Sequence, residues 1–137
     1  MSVFLDTNVL VHWVDKHPFA ERVEELLESD CVISAQVLNE FANVLRGKRK
    51  MPWLEIAEIS QTLQGICKVC DHTLSTHKLA VYLAERYQFN IFDANIVAAA
   101  AGMRCEVVYS EDMPHGLNVK IPTQFGGGSL SIKNPFL

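Results

Sequence analysis

Near the start of the chain stands the stretch VFLDTNVLV, residues 3–11, in which a short apolar run ends on an aspartate. The apolar run is typical of a buried strand. An unpaired carboxylate at the tip of such a strand costs several kcal/mol or takes up a proton. Asp6 therefore needs a structural or chemical reason for its position, such as a helix cap or a binding site.

Three further apolar runs have the same character: CVIS (31–34), ICKVC (66–70) and CEVVYS (105–110). Helical periodicity lies between these runs, in the segments PFAERVEELLES, SAQVLNEFANVLRG, WLEIAEISQTLQ, LSTHKLAVYLAERY and DANIVAAAAG. Strands that alternate with helices favour parallel pairing. The predicted fold class is therefore α/β, an α/β/α sandwich with a central parallel sheet. TQFGGGSL predicts a loop or hairpin, and SLSIKNPF a short final strand.

Several residues predict helix ends. Ser34 is suited to cap the helix that follows it, and Gly47 is suited to close that helix. Pro52 is expected in the first turn of the next helix.

Length and composition predict one domain over residues 1–137, since 137 residues with 49% hydrophobic content can bury a real core. The formal charge of −4 argues against a protein that coats nucleic acid nonspecifically. No apolar run approaches the length of a membrane span, and Asp6 interrupts any signal-peptide core. We therefore expect a cytoplasmic protein with no membrane association.

The four cysteines are scattered along the chain, which favours buried thiols in a reducing compartment over a disulfide framework. CKVCDH, residues 67–72, contains a CxxC pattern that is also found in zinc sites. The strand-like alternation of ICKVC should direct Cys67 and Cys70 to opposite faces, however. The sequence therefore favours core cysteines over a zinc site.

Four acids stand at positions that a simple core does not explain. Asp6 ends the first predicted strand, Asp112 follows the fourth, Asp93 opens an alanine-rich helix, and Glu40 borders the buried arc of its helix. Each has a structural alternative, because Asp6 and Asp93 could cap helices and Asp112 could belong to a turn. Open parallel sheets, however, bind ligands beyond the carboxyl ends of their strands.

A cluster of these carboxylates would need a cation, since two unit charges about 4 Å apart repel by about 4 kcal/mol at an effective dielectric constant of about 20. Oxygen ligands without His or Cys select a hard ion such as Mg²⁺ or Mn²⁺. Such an ion supports phosphodiester hydrolysis.

The motifs around these acids resemble those of the PIN-domain ribonucleases, most closely the VapC-type toxins of bacterial toxin–antitoxin pairs. The matching motifs are FLDTNVLV, SAQVLNEF, FDANIVAAA and YSEDMPHG. The resemblance runs from the first strand nearly to the terminal NPF. Ser110 stands where threonine is frequent and keeps the hydroxyl, while Asn95 and Pro114 depart from the usual pattern.

The resemblance implies metal-dependent RNA cleavage with four catalytic acids, Asp6, Glu40, Asp93 and Asp112. Among these, Asp6, Asp93 and Asp112 would hold Mg²⁺ or Mn²⁺, and Glu40 would orient or deprotonate the attacking water. Asn8 and Ser110 would support the site.

The basic run RGKRK, residues 46–50, has two interpretations. It could be a solvated helix end, where cations suit the helix dipole. Given the resemblance, we favour contacts with the RNA backbone by its four cations, Arg46, Lys48, Arg49 and Lys50.

The resemblance also implies a small antitoxin that wraps the helices and inserts an Arg or Lys into the acidic site. We expect its apolar anchors around residues 9–14 and 53–63. A homodimer or higher homo-oligomer is also expected and would compete for the same surfaces.

Two other functions remain open from the sequence. A receiver-type signalling domain would use Asp71 as its phosphoacceptor, but it leaves Glu40 and Asp93 unexplained. A catalytically idle scaffold that binds RNA or protein is the other.

Overall fold

The computed structural model describes residues 1–15 and 18–137. Within these residues the strands are β1 (Ser2–Leu5), β2 (Asp30–Ser34), β3 (Lys68–Cys70), β4 (Val107–Tyr109), β5 (Asn118–Lys120) and β6 (Ser129–Lys133). The helices are α1 (Thr7–Val14), α2 (Ala20–Glu28), α3 (Ala35–Arg49), α4 (Trp53–Ile66), α5 (Leu74–Tyr87) and α6 (Ile91–Gly102).

The strands form one sheet in the order β3-β2-β1-β4-β6-β5. All neighbouring pairs are parallel except β5 with β6, which is antiparallel. The predicted α/β/α sandwich with a central parallel sheet is thus confirmed, with one antiparallel edge strand added. The chain runs outward from β1 to β3 and then returns to β4 on the other side of β1. This reversal creates a crevice beyond the ends of β1 and β4, where open α/β sheets bind ligands.

The core lies along the central strands, which are buried on both faces. Phe4 and Leu5 of β1, Ile33 of β2 and Val108 of β4 are fully buried. Continuous apolar strands of this kind are expected where helices cover both faces of a parallel sheet. Four of the five alanines of α6, at positions 94, 98, 99 and 100, are buried as well, and their small side chains allow the helix to pack closely.

The predicted ends of α3 and α4 need small corrections. Ser34 caps α3 as predicted, since its hydroxyl accepts the Val37 N–H at 3.1 Å. Gly47, however, lies inside the helix, which continues to Arg49 and ends at Lys50 in the left-handed conformation, with φ of 51°. Pro52 stands just before α4 as its extended N-cap and not within its first turn.

The strand predicted in residues 66–70 is shorter than expected, because α4 continues through Ile66 and only Lys68–Cys70 form β3. The final strand predicted in SLSIKNPF is present as β6. Its partner β5 was not predicted from the sequence. No helix in the described ranges combines the length and apolar character needed to cross a bilayer.

Candidate active site

Asp6 and Ser110 meet at the carboxyl ends of the two central strands. The backbone N–H of Asp6 donates to the Tyr109 carbonyl at 3.0 Å, which extends the pairing of β1 with β4 by one step. This pairing places the Ser110 hydroxyl 2.9 Å from Asp6 Oδ2, to which it donates. The other carboxylate oxygen, Oδ1, accepts the Thr7 N–H at 2.7 Å and so caps α1. Asp6 is therefore a helix cap as well as a candidate site residue.

Asn8 joins this pair to Asp112. Its amide nitrogen lies 3.0 Å from Asp112 Oδ2 and 3.3 Å from Asp6 Oδ2. Its carbonyl oxygen accepts the Glu111 N–H at 3.2 Å, and Ser110 Oγ accepts the Asp112 N–H at 3.2 Å. Hydrogen bonds from Asn8 thus hold the loop after β4 against the first turn of α1.

Glu40 reaches the same place from α3. One carboxylate oxygen accepts the Thr7 hydroxyl at 3.1 Å, and the other accepts the Gln36 side-chain amide at 3.0 Å. Neither Thr7 nor Gln36 was predicted as a site residue from the sequence. A signal was present for both, because Gln36 and Glu40 have the i, i+4 spacing of neighbours on a helix and Thr7 belongs to the Asp-Thr-Asn motif.

Asp93 lies in the first turn of α6 and does not cap it. The cap is Asn90, whose side-chain oxygen accepts the Asp93 N–H at 2.8 Å. The Asn90 amide donates in return to Asp93 Oδ2 at 3.1 Å. This reciprocal arrangement resembles a capping box, and it corrects the structural alternative that Asp93 is the cap.

The carboxylates influence one another electrostatically. Burial raises the pKa of Asp6 from 3.8 to about 6, against the lowering effect of hydrogen bonds from Ser110 and Thr7, and the charges of Asp93 and Glu40 raise it further. The pKa of Asp93 is also raised, first by burial and then by the charge of Asp112. All four acids therefore belong to one electrostatic cluster, in which positive charge would be favourable.

The acids line a cleft of about 550 Å³. Two cations from the end of α3 and several polar side chains also line it. The described lining residues are Asp6, Thr7, Asn8, Val11, His12, Glu40, Asn43, Val44, Lys48, Arg49, Asp93, Glu111 and Asp112. Neither Arg46 nor Lys50 is among these described walls. The predicted basic run thus divides between the cleft and the surface beside it.

The two arginines of the run have different surroundings. Arg49 forms an ion pair with Asp15, in which Nε lies 2.5 Å from Oδ1. Its Nη1 is buried and has no hydrogen-bond partner in the described part of the chain. Arg46 turns to α4, where it lies 5.3 Å from the centre of the Trp53 ring and donates to the Met51 carbonyl at 3.1 Å.

One side of the cleft contains a pair that the sequence did not indicate. His12 Nε2 of α1 contacts Glu111 Oε1 of the loop after β4. The imidazole also packs edge-on against Phe19 and Phe136, with ring centroids 5.5 and 5.0 Å away. Glu111 and Phe136 lie far from His12 along the chain, so a local pattern could not have identified their contacts with it.

Asn95 is not part of the cleft's described lining. Its side-chain oxygen is buried and, within the described residues, has no hydrogen-bond partner.

The donor chemistry of the cleft suits a hard divalent cation. Across residues 1–15 and 18–137, no three or more His, Cys, Asp or Glu side chains are arranged as a group that could hold a metal ion. Mg²⁺, however, is commonly held by only one or two carboxylates and keeps several waters. Two carboxylates with raised pKa values supply oxygen ligands for which a cation would offset the cost of ionisation.

Several solved structures share the fold of this chain, and three of them are toxins or toxin–antitoxin proteins. VapC20 from Mycobacterium tuberculosis, described as a toxin that cleaves the sarcin–ricin loop, matches with a TM-score of 0.65 and 19% identity, over 80% of this chain and 89% of its own. A toxin–antitoxin complex from Klebsiella pneumoniae gives a TM-score of 0.64 and 17% identity, over 80% and 86% of the chains. VapBC2 from Rickettsia felis, bound to a DNA fragment from its promoter, matches with a TM-score of 0.57 and 22% identity, over 82% of this chain and 89% of its own.

No curated protein sequence matches the chain significantly. The sequence model of the PIN domain does match, over residues 3–113. This region begins in β1 and ends just after Asp112, so it contains all four acids of the cleft. The match covers most of the chain and agrees with the motifs and the sheet order described above. The chain therefore belongs to the PIN domain family.

Proposed function

We propose that this protein is a metal-dependent endoribonuclease toxin of the VapC type, which hydrolyses RNA phosphodiester bonds and is inhibited by a cognate antitoxin. The observation that supports this most strongly is the meeting of four acids in one cleft beside two cations. The acids come from four separate places in the chain: the end of β1, the middle of α3, the first turn of α6 and the loop after β4. Membership of the PIN domain family supports the same reading.

In this proposal Asp6 and Asp93 hold Mg²⁺ or Mn²⁺, with help from Asp112. When bound, the ion supplies positive charge beside the scissile phosphate and acidifies a coordinated water. A cation is favourable at this position because Asp6 is buried and Asp93 lies near the charges of Asp112 and Glu40. Asn8 and Ser110 keep Asp6 and Asp112 in position through their hydrogen bonds.

Glu40 has the role of orienting or deprotonating the attacking water. Thr7 and Gln36 each donate to one of its oxygens and so fix the carboxylate at the cleft wall. A carboxylate has about four acceptor sites, so two hydrogen bonds leave capacity for a water molecule. Thr7 and Gln36 thus act as positioning residues in this proposal.

The substrate backbone is bound by Lys48 and Arg49, the two members of the basic run in the cleft wall. Both cations are donors suited to phosphate oxygens of the RNA backbone. Arg46 is already engaged with Trp53 and Met51. Contacts of Arg46 and Lys50 with RNA therefore stay a prediction, with a smaller expected contribution.

An antitoxin partner is supported by the fold shared with a structure described as a toxin–antitoxin complex and with VapBC2. Of the anchors expected around residues 9–14, Val9 and Leu10 are fully buried and so are unsuitable. The start of α4 is more suitable, because Trp53 and Leu54 are 60% and 75% exposed. A homo-oligomer that uses the same apolar surface is the competing proposal. A basic side chain from the antitoxin would be attracted into the acidic cleft.

The position of Asp71 argues against a receiver-type signalling domain. Asp71 follows β3, which is at the edge of the sheet, and lines a different cavity from the four acids. The idle scaffold remains the alternative that an experiment must exclude.

The proposal is tested by expressing three forms of the protein without a partner: wild type, Glu40→Gln and Glu85→Gln. Glu85 is an exposed residue of α5 and gives a matched control for the loss of one charge. Wild type and Glu85→Gln are expected to arrest growth and to produce new RNA ends, which sequencing detects. Glu40→Gln should do neither, and co-expression of the neighbouring small open reading frame should restore growth. A harmless wild type that produces no new RNA ends would favour the idle scaffold.

A further inference from the structure

Two buried cysteines face each other at the amino ends of β2 and β3, whereas the acidic cleft lies beyond the carboxyl ends of the strands. The parallel register of β2 and β3 pairs Val32 with Lys68, so the residues one step earlier, Cys31 and Cys67, also stand opposite each other. Their sulfur atoms are 3.0 Å apart. The two residues are 3% and 5% exposed, and both are free thiols in this structure.

We propose that Cys31 and Cys67 form a reversible intrachain disulfide when the folded protein meets a small-molecule disulfide oxidant. Neighbouring strands are about 4.8 Å apart, and disulfides join residues whose Cα atoms are about 4.4–6.8 Å apart. Opposed residues of a parallel pair also direct their side chains to the same face. The bond therefore requires little movement of the backbone.

The chemistry is a thiol–disulfide exchange in two steps. The Cys31 thiolate attacks one sulfur of the oxidant, forms a mixed disulfide and releases one thiolate of the oxidant. Cys67 then loses its proton, and its sulfur displaces the second oxidant thiolate from Cys31. The protein dithiol is oxidised to a disulfide, and the oxidant is reduced to two thiols.

Cys31 is the suitable nucleophile of the two. The hydrogen bond between the two sulfur atoms lowers the pKa of Cys31. The same hydrogen bond, together with burial, raises the pKa of Cys67. The pair is thus polarised into an attacking sulfur and a resolving thiol.

The oxidant must reach the pair through a local opening of the sheet edge. Cys67 follows directly after α4 and precedes β3, an edge strand of three residues. Ile66, its neighbour in the chain, is already exposed. Short edge elements of this kind open at lower free energy than the rest of a core.

The CxxC pattern does not compete for this bond in the native register. Cys70 pairs with Ser34 at the opposite end of β3 from Cys67, and Cys67 contacts Cys31. The expected product therefore links residues 31 and 67. It closes a segment that contains α3 and α4, and closing a segment of this size restricts the unfolded chain.

The test uses the folded, full-length protein in mixtures of oxidised and reduced glutathione. After acid quenching and alkylation, peptide mapping should find one linked peptide pair, 31 with 67. The oxidised protein should melt roughly 10 °C higher than the reduced protein, and a reductant should reverse the shift. Cys105→Ala, which removes another buried thiol, should behave like wild type, whereas Cys67→Ser should show no shift.

Mapping of the wild-type protein decides the proposal even if Cys67→Ser does not fold. A link between residues 31 and 67 that forms only in denaturant would overturn it. Links through Cys70 or Cys105, or mixed disulfides with glutathione as the final product, would overturn it as well.

Discussion

Asn8 and Asp112 are 104 positions apart in the chain, yet the Asn8 amide nitrogen lies 3.0 Å from Asp112 Oδ2. They meet because Asn8 follows β1, Asp112 follows β4, and the two strands are neighbours. The same amide nitrogen lies 3.3 Å from Asp6 Oδ2. A neutral donor between two carboxylates thus lowers the repulsion within the cleft.

Asn8→Asp replaces this donor with a further negative charge of almost the same shape. We expect the free energy of unfolding to fall by about 2–4 kcal/mol at neutral pH without divalent metal, because repulsion is added and hydrogen bonds are lost. Excess Mg²⁺ should recover much of the loss. Urea unfolding with and without Mg²⁺ measures both effects. Asn118→Asp, at an exposed position of β5, is the control and should change little. An equal, metal-insensitive loss in both variants would contradict this explanation.

Asp6→Asn should change how stability depends on pH. The pKa of Asp6 is about 6 in the folded protein and near 3.8 when unperturbed. Between these values the unfolded chain has lost the proton that the folded protein keeps, so wild-type stability should fall as pH rises from about 4 through 6. The free energy of unfolding should change by about 3 kcal/mol in total, because the two pKa values of Asp6 differ by about two pH units. Without metal, Asp6→Asn should be more stable than wild type at neutral pH, and this difference in stability should shrink toward pH 4.

Urea unfolding at a series of pH values measures this difference. Asp71→Asn, at an exposed position after β3, serves as the control and should follow the wild-type curve. Parallel curves for wild type and Asp6→Asn would show that burial of this carboxylate does not set the pH dependence.

Arg49→Gln should weaken RNA binding and make it less dependent on salt, because one phosphate contact is removed. Arg46→Gln removes the same charge from the same helix, but its guanidinium is engaged with Trp53 and Met51 and should matter less. Binding of an uncleaved RNA at several salt concentrations compares the two. The ion pair with Asp15 is partly exposed, so its loss should cost only about 0–1 kcal/mol of stability. Equal effects of both substitutions would instead favour the whole basic run as the RNA contact.

Ser110→Ala should raise the metal concentration needed for cleavage. Ser110 is fully buried, and its hydrogen bond is the largest of the contributions that lower the pKa of Asp6. Without it, Asp6 should hold its proton more tightly and stability should fall by about 1–3 kcal/mol. Ser110→Thr keeps the hydroxyl and should require less metal than the alanine variant. An unchanged metal requirement in Ser110→Ala would remove Ser110 from the supporting role.

The elements that the sequence predicted well are those with a local signal. The apolar runs predicted the parallel strands, and Ser34 marked the start of α3. Strand β5 had no such signal, because Asn118–Lys120 has one buried residue and exists through its pairing with β6. The end of α3 was misplaced because a glycine can remain helical when the next turns are stabilised by contacts, as those of Arg46 and Arg49 show.

The candidate site was predictable as a set of acids but not as a set of contacts. Glu40 borders the apolar arc of its helix, and Asp6 and Asp112 follow strands, so their positions were visible in the pattern. The separate surroundings of Arg46 and Arg49 depend on whether α4 or α1 lies beside each side chain. The Cys31–Cys67 contact likewise depends on strand register, which the alternation of apolar residues does not reveal.

The proposed function requires the acidic cleft to cleave RNA through a bound divalent metal ion. It is tested most directly by RNA cleavage with purified protein that has been stripped by a chelator and then titrated with Mg²⁺ or Mn²⁺. We expect no cleavage without metal, saturable cleavage with it, and loss of cleavage in Asp93→Asn while its fold is retained. Cleavage that persists in excess chelator, or that is unchanged in Asp93→Asn, would contradict the claim.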